Sequence, residues 1–351
     1  MLQILWLEKI FHARMVEGII LINALIEDFL SYKRHNRGRT DRTIQAYGDI
    51  LLRLVEYFAG RDPLLATRDE LVIFSGIWLH KKGIGPVGRR PYVSAVREFF
   101  KWAHQNGHIA HNPAADLPSP NSGRKIPRLI TLENAERLMW GPDFSTFEGV
   151  RDGAILSIFL GCGLRAKGLV NLNESNLSGA ELNKKVRMVL KVREKGDKER
   201  MVPVPESAEM LLRVYLEHPD LKEIDRTLPN GDQVLFVSMM NRNCPPHEYI
   251  GERRRLSTWA IRDMVKKYGR VAGVPEEQLH PHAMRHLFGT ELLESDVDIL
   301  TRQELLGHAD PKSTAIYTHL AMRKKIAASD LGNPLGKMKT PMSELIKKMN
   351  K

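Results

Sequence analysis

Cysteine is scarce in this chain, with only Cys162 and Cys244 among 351 residues. This excludes a disulfide framework and a cysteine-rich zinc site, and it is typical of a reducing compartment. Long apolar stretches are also missing, because no run approaches the roughly 20 residues of a membrane-spanning helix. The apolar segment 1–30 is interrupted by charged side chains, which excludes a signal peptide. We therefore expect a cytoplasmic protein that does not enter the membrane.

The composition is that of an ordinary folded protein, with 42% hydrophobic and 27% charged residues. A chain of 351 residues is long enough for two domains with sizeable cores. Lysine and arginine number 53 against 42 acidic residues, so the net charge is +11. This balance favours a polyanionic partner, although ribosomal and membrane-surface proteins share it, so charge alone does not decide for nucleic acid.

Histidine, arginine and tyrosine recur at fixed intervals near the C-terminus. His282 and Arg285 are three residues apart, so on a helix they share one face. Gly307 has the place and residue type of a helix C-terminal stop. Asp310-Pro311 predicts the start of a further helix, which would hold Tyr317. Tight joints between these helices would bring the arginine and the tyrosine near the histidine that follows Gly307.

Such a set of side chains suits an attack on a phosphodiester. A phenol is a weak nucleophile and needs activation. Arginine contacts phosphate oxygens in bidentate fashion and neutralises the charge that builds at phosphorus. Histidine transfers protons near neutral pH. The alternative is a histidine-rich helical end in which Tyr317 is merely half-buried.

The ordered set resembles the C-terminal signature of the tyrosine recombinases, also called the phage integrase family. That pattern is His-x-x-Arg, then Leu-Gly-His, then tyrosine, and it is matched by His282, Arg285, His308 and Tyr317. The resemblance implies a mainly α fold. It comprises an N-terminal four-helix, SAM-like core-binding domain and a mostly helical catalytic domain with a small antiparallel β-sheet.

Two further site residues follow from this resemblance. The family has its first active-site arginine after a buried helix, where Arg165 follows an apolar segment and a glycine pair. It has an active lysine at a hairpin tip, where Lys195 precedes a glycine, with Lys198 as the fallback. A solvated turn is the alternative for that tip. The family usually has Glu or Asp three residues after the arginine, and this chain has Gly168 instead.

Apolar spacing predicts helices on both sides of a proline-rich and basic segment. In the first half, helices are expected up to Phe58, after Thr67 and from Pro91 to Gln105. In the second half we expect strands over 186–192 and 200–204, a helix over 207–228 and another that starts at Arg253. The predicted parts are 1–19 as an extension, 20–116 as the core-binding domain, 117–129 as a basic linker, 130–330 as the catalytic domain and 331–351 as a tail.

Cations in loops and at helix starts of the first half and in the linker are candidates for DNA backbone contacts. They are Lys33, Arg34, Arg37, Arg39, Arg89, Arg90, Arg124 and Lys125. The alternative is a solvated charged surface. The amphipathic end of the tail is either a fraying terminus or, as the family implies, a segment that docks on a neighbouring subunit.

The resemblance implies a site-specific recombinase or integrase of a mobile element or host that needs no cofactor and no metal. Tyr317 would attack DNA, Arg165 and Arg285 would hold the phosphate, His282 and His308 would assist, and Lys195 would protonate the leaving oxygen. Four subunits would pair two double-stranded DNA sites through a Holliday junction, with an accessory DNA-bending or directionality protein as a further candidate partner. The alternatives are a type IB topoisomerase and a catalytically inactive DNA-binding relative.

Overall fold

The computed structural model describes residues 21–121, 129–182, 185–193, 199–240, 244–307 and 318–340. The chain divides into two compact units, Met1–Lys125 and Ile126–Lys351. In the described part of the chain, no helix is both long and apolar enough to cross a membrane.

The N-terminal unit contains four helical stretches within its described residues. Helix α1 spans 21–35, α2 Asp41–Phe58, α3 Arg68–Ile73 and α4 Pro86–Gln105. Helix α3 continues without a break through a π-helical turn, Phe74–Trp78, into a last turn, Leu79–Lys81. Thr67 caps α3 with a capping box, as its place before the apolar run predicted. The predicted four-helix arrangement is confirmed.

Aromatic rings fill the core of this unit. Phe29 of α1 meets Phe99 of α4 edge to face at a centroid distance of 5.4 Å, and both are fully buried.

The expected start of α4 was wrong, because the helix begins at Pro86 and Pro91 lies inside it. Proline at the first position lacks only a donor that the helix does not need there. Pro91 has no backbone N–H, so one helical hydrogen bond near the start of α4 is missing. Val87, four residues earlier, is exposed to solvent.

The C-terminal unit is built around one helix that is buried along almost its entire length. Helices α5, α6 and α7 span Leu132–Met139, Phe147–Cys162 and Ala166–Val170. Apart from Glu148, every residue of α6 is buried, which its unbroken apolar sequence predicted. It packs between α8, Glu206–Glu217, and a later helix described below.

A three-stranded antiparallel sheet follows α7. Its strands are β1 Leu177–Leu182, β2 Lys185–Arg193 and β3 Glu199–Pro203, in the order β1-β2-β3. In the register, Val192 lies opposite Arg200 and Arg193 opposite Glu199. The two predicted strands are confirmed, and β1 is an additional strand that the sequence patterns did not reveal.

The remaining helices are shorter than expected in two places. The predicted helix over 207–228 ends at Glu217, because Pro219 starts a separate turn, α9 Pro219–Lys222. The helix expected from Arg253 begins instead at Thr258, as α10 Thr258–Val271, with Ser257 as its cap. The side chain of Arg255 is used in tertiary contacts, donating to the carbonyls of Val170 and Leu172.

The C-terminal part contains four more helices. They are α11 Pro281–Glu294, α12 Ile299–Leu306, α13 Thr318–Leu331 and α14 Pro334–Lys337. Helix α11 is the second neighbour of α6. Gly307 ends α12 in the left-handed conformation, with φ +62°, as its residue type predicted.

A buried polar network joins α6 to α10. Arg151 donates two hydrogen bonds to Asp152 and one to the carbonyl of Val237, while the hydroxyl of Tyr268 donates to Asp152 at 2.9 Å. Burial raises the pKa of Asp152, and the adjacent Arg151 opposes that rise. The carboxylate is therefore retained by partners that satisfy it from two elements.

We expect Asp152→Ala to lower the free energy of unfolding by roughly 3–5 kcal/mol, because it removes the buried counter-charge of Arg151 and leaves only the exposed Glu148, at 3.4 Å. Tyr268→Phe removes one donor only and should cost about 1 kcal/mol. Chemical denaturation of both variants measures the two values. Equal losses for the two variants would contradict the assignment of the ion pair as the main contribution.

Candidate active site

Arg165, the first of the predicted site residues, lies just after the turn that ends α6. Gly163 has φ +58°, and a Cβ there would overlap the ring of Phe288 on α11. Glycine is therefore required both by the backbone conformation and by the close approach of the two helices. Leu164 is buried, and Arg165 follows as the N-cap residue of α7. The left-handed Gly163 ends α6, and Arg165 lies in the short connection between α6 and α7.

The start of α11 carries the second group. His280 occupies the N-cap, Pro281 the first turn, His282 is exposed and Arg285 is buried. The guanidinium of Arg285 donates to the carbonyl of Gly163 at 2.5 Å. This bond joins α11 to the end of α6, so Arg285 and Arg165 belong to one site.

A third arginine, Arg200 on β3, lies in the same site. Burial and the guanidinium groups of Arg165 and Arg200 lower the pKa of Arg285 to about 9. Burial and Arg165 likewise lower the pKa of Arg200 to about 10. Both groups remain cationic at neutral pH. Three cations held so close together favour an anion between them, and a phosphate fits this charge.

His282 lies beside this positive cluster. Partial burial and the charge of Arg285 lower its pKa, with smaller effects from His280, His286 and Arg165. A lowered pKa keeps the imidazole neutral at neutral pH. A neutral, exposed imidazole next to an anion site can accept a proton from a nucleophile.

Other predicted residues lie outside the described parts of the chain. These are Lys195, its fallback Lys198, His308 and Tyr317, and also Arg124 and Lys125. The described residues on either side of them are placed as follows. Strands β2 and β3 pair up to Arg193 and Glu199, α12 ends just before Gly307, and α13 is described from Thr318 onward.

Gly168, where the family usually has an acid, is buried against the sheet. A Cβ at this position would lie 3.2 Å from Cγ1 of Val192 on β2. A side chain here would point toward the strand that leads to residues 194–198 and would require Val192 to move slightly.

The predicted DNA-contacting cations of the N-terminal unit occupy different environments. Lys33 is buried and pairs with Glu98, so it stabilises the interior of the unit and we leave it out of the proposed DNA-facing set. Arg34 is half-exposed, and its Nη2 lies 3.3 Å from Oδ1 of Asp41. The others are exposed or partly exposed: Arg37, Arg39, Arg89 and Arg90. Arg89 donates to the carbonyl of Gly76 and Arg90 to that of Pro120.

Sequence reasoning missed two residues of this site. Arg200 was taken only as part of a strand, although a cation inside an apolar strand could have been noted. His280 precedes a proline that starts a helix, which is the position of an N-cap. Its Nδ1 accepts the backbone N–H of Ala283 at 3.0 Å. Among the described residues, no cluster of three or more histidine, cysteine or acidic side chains is arranged to hold a metal ion.

Comparison with known proteins identifies the family. Residues 128–324 match the model of the phage integrase family. The chain belongs to this family. The tyrosine recombinase XerC of Thermodesulfovibrio yellowstonii is 32% identical over 316 residues, which cover 89% of this chain and 97% of that protein. The present chain is thus a tyrosine-type site-specific recombinase. The similarity to XerC favours this interpretation over a type IB topoisomerase.

Two solved structures share the recombinase fold. The XerH site-specific recombinase bound to its palindromic difH substrate aligns with a TM-score of 0.61 at 22% identity, over 84% of this chain and 81% of that one. A lambda integrase tetramer bound to a Holliday junction aligns with a TM-score of 0.58 at 16% identity, over 84% of this chain and 80% of that one. The predicted mainly helical fold with a small sheet is confirmed.

The cap of α11 should make stability depend on pH. The pKa of His280 is lowered from its ordinary value of 6.5 by burial and by His286, while the carbonyl of Glu277 opposes this. Because folding lowers this pKa, the contribution of His280 to the free energy of unfolding is fully present above pH 6.5. That contribution is lost as the pH falls through the pKa that His280 has in the folded state. Protonation of Nδ1 would also remove the acceptor for Ala283.

His280→Asn keeps a capping oxygen without a titrating group, and His280→Ala keeps neither. We expect His280→Ala to cost about 1 kcal/mol at neutral pH and His280→Asn much less. Between about pH 7.5 and pH 5.5, the wild type should lose more stability than His280→Asn, since His282 remains in both. Urea denaturation at the two pH values measures this. Equal losses in both proteins would contradict the capping role.

Proposed function

We propose that this recombinase binds double-stranded DNA and cuts and rejoins it through a 3′-phosphotyrosyl intermediate. The observation that carries the proposal is the convergence of three arginines beside an exposed histidine in the described part of the site. Arg285 donates to the carbonyl of Gly163, two residues before Arg165, and Arg200 and Arg285 donate to the consecutive carbonyls of Leu305 and Leu306. That arrangement matches the needs of a phosphodiester that becomes more negative as it is attacked.

In the proposed cleavage step, the phenolic oxygen of Tyr317 forms a bond to phosphorus and the bond to the 5′ oxygen breaks. His282 accepts the phenol proton, and Lys195 gives a proton to the departing 5′ oxygen. Arg165 and Arg285 hold the non-bridging oxygens, with His308 as a further phosphate contact. The phosphotyrosyl bond retains the energy of the broken phosphodiester. A 5′ hydroxyl therefore reverses the step without a nucleotide.

We further propose that four subunits pair two DNA sites and exchange strands in two rounds through a Holliday junction. The lambda integrase tetramer on such a junction, which shares this fold, supports that assembly. The net charge of +11 supports a DNA partner. Low cysteine content supports the cytoplasm as the compartment. The proposed domain limits remain those stated above, with 331–351 as a candidate subunit-docking tail.

Covalent trapping tests the nucleophile. Wild type, Tyr317→Phe and Tyr249→Phe are incubated with nicked duplexes from the DNA that flanks the gene and then run on a denaturing gel. Tyr249 is a matched control, because its hydroxyl donates to the carbonyls of Ser238 and Met240 elsewhere in the unit. Wild type and Tyr249→Phe should give a slow, protease-sensitive adduct, and Tyr317→Phe should give none, since it lacks the proposed nucleophilic oxygen.

Two outcomes would contradict the proposal. An adduct with Tyr317→Phe would assign the nucleophile elsewhere. The absence of any wild-type adduct on sites that are bound tightly would favour the inactive, DNA-binding alternative, in which Gly168 replaces the usual acid. Joining of strands between two sites, as opposed to relaxation of one supercoiled duplex, separates a recombinase from a topoisomerase.

Salt dependence tests the cationic surface of the N-terminal unit. Binding should weaken steeply with salt, with a log–log slope of about −0.9 for each phosphate contact. Arg39→Gln is expected to make this slope shallower by roughly one contact. Arg61→Gln serves as the control, since Arg61 is paired with Glu70. Fluorescence anisotropy at several salt concentrations gives the slopes, and an unchanged slope for Arg39→Gln would remove that residue from the DNA-contacting set.

A further inference from the structure

Arg200 reaches from the sheet to the end of a helix far along the chain. It lies on β3, opposite Val192, and is partly buried. Its Nη1 donates to the carbonyl of Leu305, in the last turn of α12. Nη2 of Arg285 donates to the next carbonyl, that of Leu306. Two guanidinium groups from two different elements therefore hold consecutive carbonyls of one helix end.

The end of α12 is a place where such donors matter. The last carbonyls of a helix have no partner within the helix, and together they form its negative end. Cations are stabilising there, and buried carbonyls without donors would be costly. Leu305 is almost fully buried in a small cluster with Phe288, Leu292 and Val297. The apolar side chain fixes the helix on one side, and the two arginines fix its carbonyl end.

Gly307 is the residue that ends α12. Gly307 adopts the left-handed conformation and donates its N–H back to the carbonyls of Gln303 and Glu304. His308 is the next residue in the sequence. Whatever fixes the carbonyls of Leu305 and Leu306 therefore also fixes the point from which the His308 segment departs.

Arg200 is at the same time part of the positive cluster. It contributes to the lowered pKa of Arg285, and Arg165 lowers its own pKa. These effects require the three guanidinium groups to be close in space. One side chain thus links the hairpin strand, the phosphate-attracting cluster and the end of α12.

We propose that Arg200 is a positioning residue for the recombination reaction. Together with Arg285 it holds the C-terminal end of α12, and so sets the start of the segment that contains His308. Its charge adds to the attraction that the arginine cluster has for the DNA phosphate. The second of these effects rests on the proposed function, whereas the first concerns the protein alone.

The experiment compares Arg200→Met and Arg200→Lys with wild type and with Arg226→Met. Methionine keeps the length of the side chain and removes its charge and donors, while lysine keeps the charge without the planar fork. Arg226 is a matched control, because it is also buried and donates to a backbone carbonyl, that of Val234. Its other partner is Glu174, and neither partner belongs to the arginine cluster.

Amide hydrogen exchange of peptides that cover residues 299–307 gives the positioning readout. Single-turnover adduct formation on the nicked duplex and DNA affinity give the functional ones. We expect Arg200→Met to exchange several-fold faster in 299–307 and to form adduct on the order of 10 to 100 times more slowly, as when a group that orients an active-site ligand is removed. Its DNA affinity should fall, but by less than about 3-fold, because one charge of the cluster is lost while the other cationic contacts remain. Arg200→Lys should be intermediate, and Arg226→Met should match wild type in both the exchange of 299–307 and the rate.

The outcomes separate this proposal from the proposed function. Unchanged exchange in 299–307 for Arg200→Met would overturn the positioning role, whether or not cleavage slows. Faster exchange with an unchanged cleavage rate would overturn its importance for the reaction. If Arg200→Met does not fold, the same two comparisons are made with Arg200→Lys. If wild type forms no adduct, the proposed function fails, while the exchange comparison still decides whether Arg200 holds the end of α12.

Discussion

The central constraint of this structure is the close approach of like charges. Arg165 lowers the pKa of both Arg200 and Arg285, so three guanidinium groups share one partly buried site. Such an arrangement is unfavourable in the absence of an anion, and it persists only if the surrounding structure holds it rigidly. The rigidity comes from the backbone, since Arg285 donates to the carbonyls of Gly163 and Leu306. These carbonyl partners are uncharged, so they hold Arg285 without neutralising it.

The fold of the C-terminal unit serves this constraint. Helix α6 is buried almost throughout, so the position of its end is fixed by packing. Gly163 allows Phe288 to pack against that end, and its left-handed conformation ends the helix before Arg165. Helix α11 then places Arg285 so that its guanidinium donates to the carbonyl of Gly163, at the end of α6. Arg165 and Arg285 are thus placed by helices that pack through apolar side chains.

Much of this arrangement was accessible from the sequence, and the exceptions have a common cause. Arg165 and Arg285 were predicted as site residues because each follows a local pattern, a buried helix with glycine in one case and a spaced histidine in the other. Arg200 was missed because its partner, Leu305, is distant in the sequence. For the same reason Lys33 was taken for a surface cation, although Glu98 from another helix draws it into the interior. Local patterns predict elements and motifs, whereas long-range partners decide whether a charge faces solvent.

Gly168 means that this site lacks the acidic side chain that the family usually has near its arginines. An acid at this position would accept hydrogen bonds and reduce the positive charge nearby. In this chain Val192 lies against Gly168, and Val192 is opposite Arg200 in the sheet. Backbone carbonyls, which cannot be titrated, contribute to the orientation of Arg200 and Arg285. These uncharged partners do not neutralise the positive charge that the two arginines offer to the phosphate. The geometry of the site then depends on the ends of α6 and α12 remaining folded.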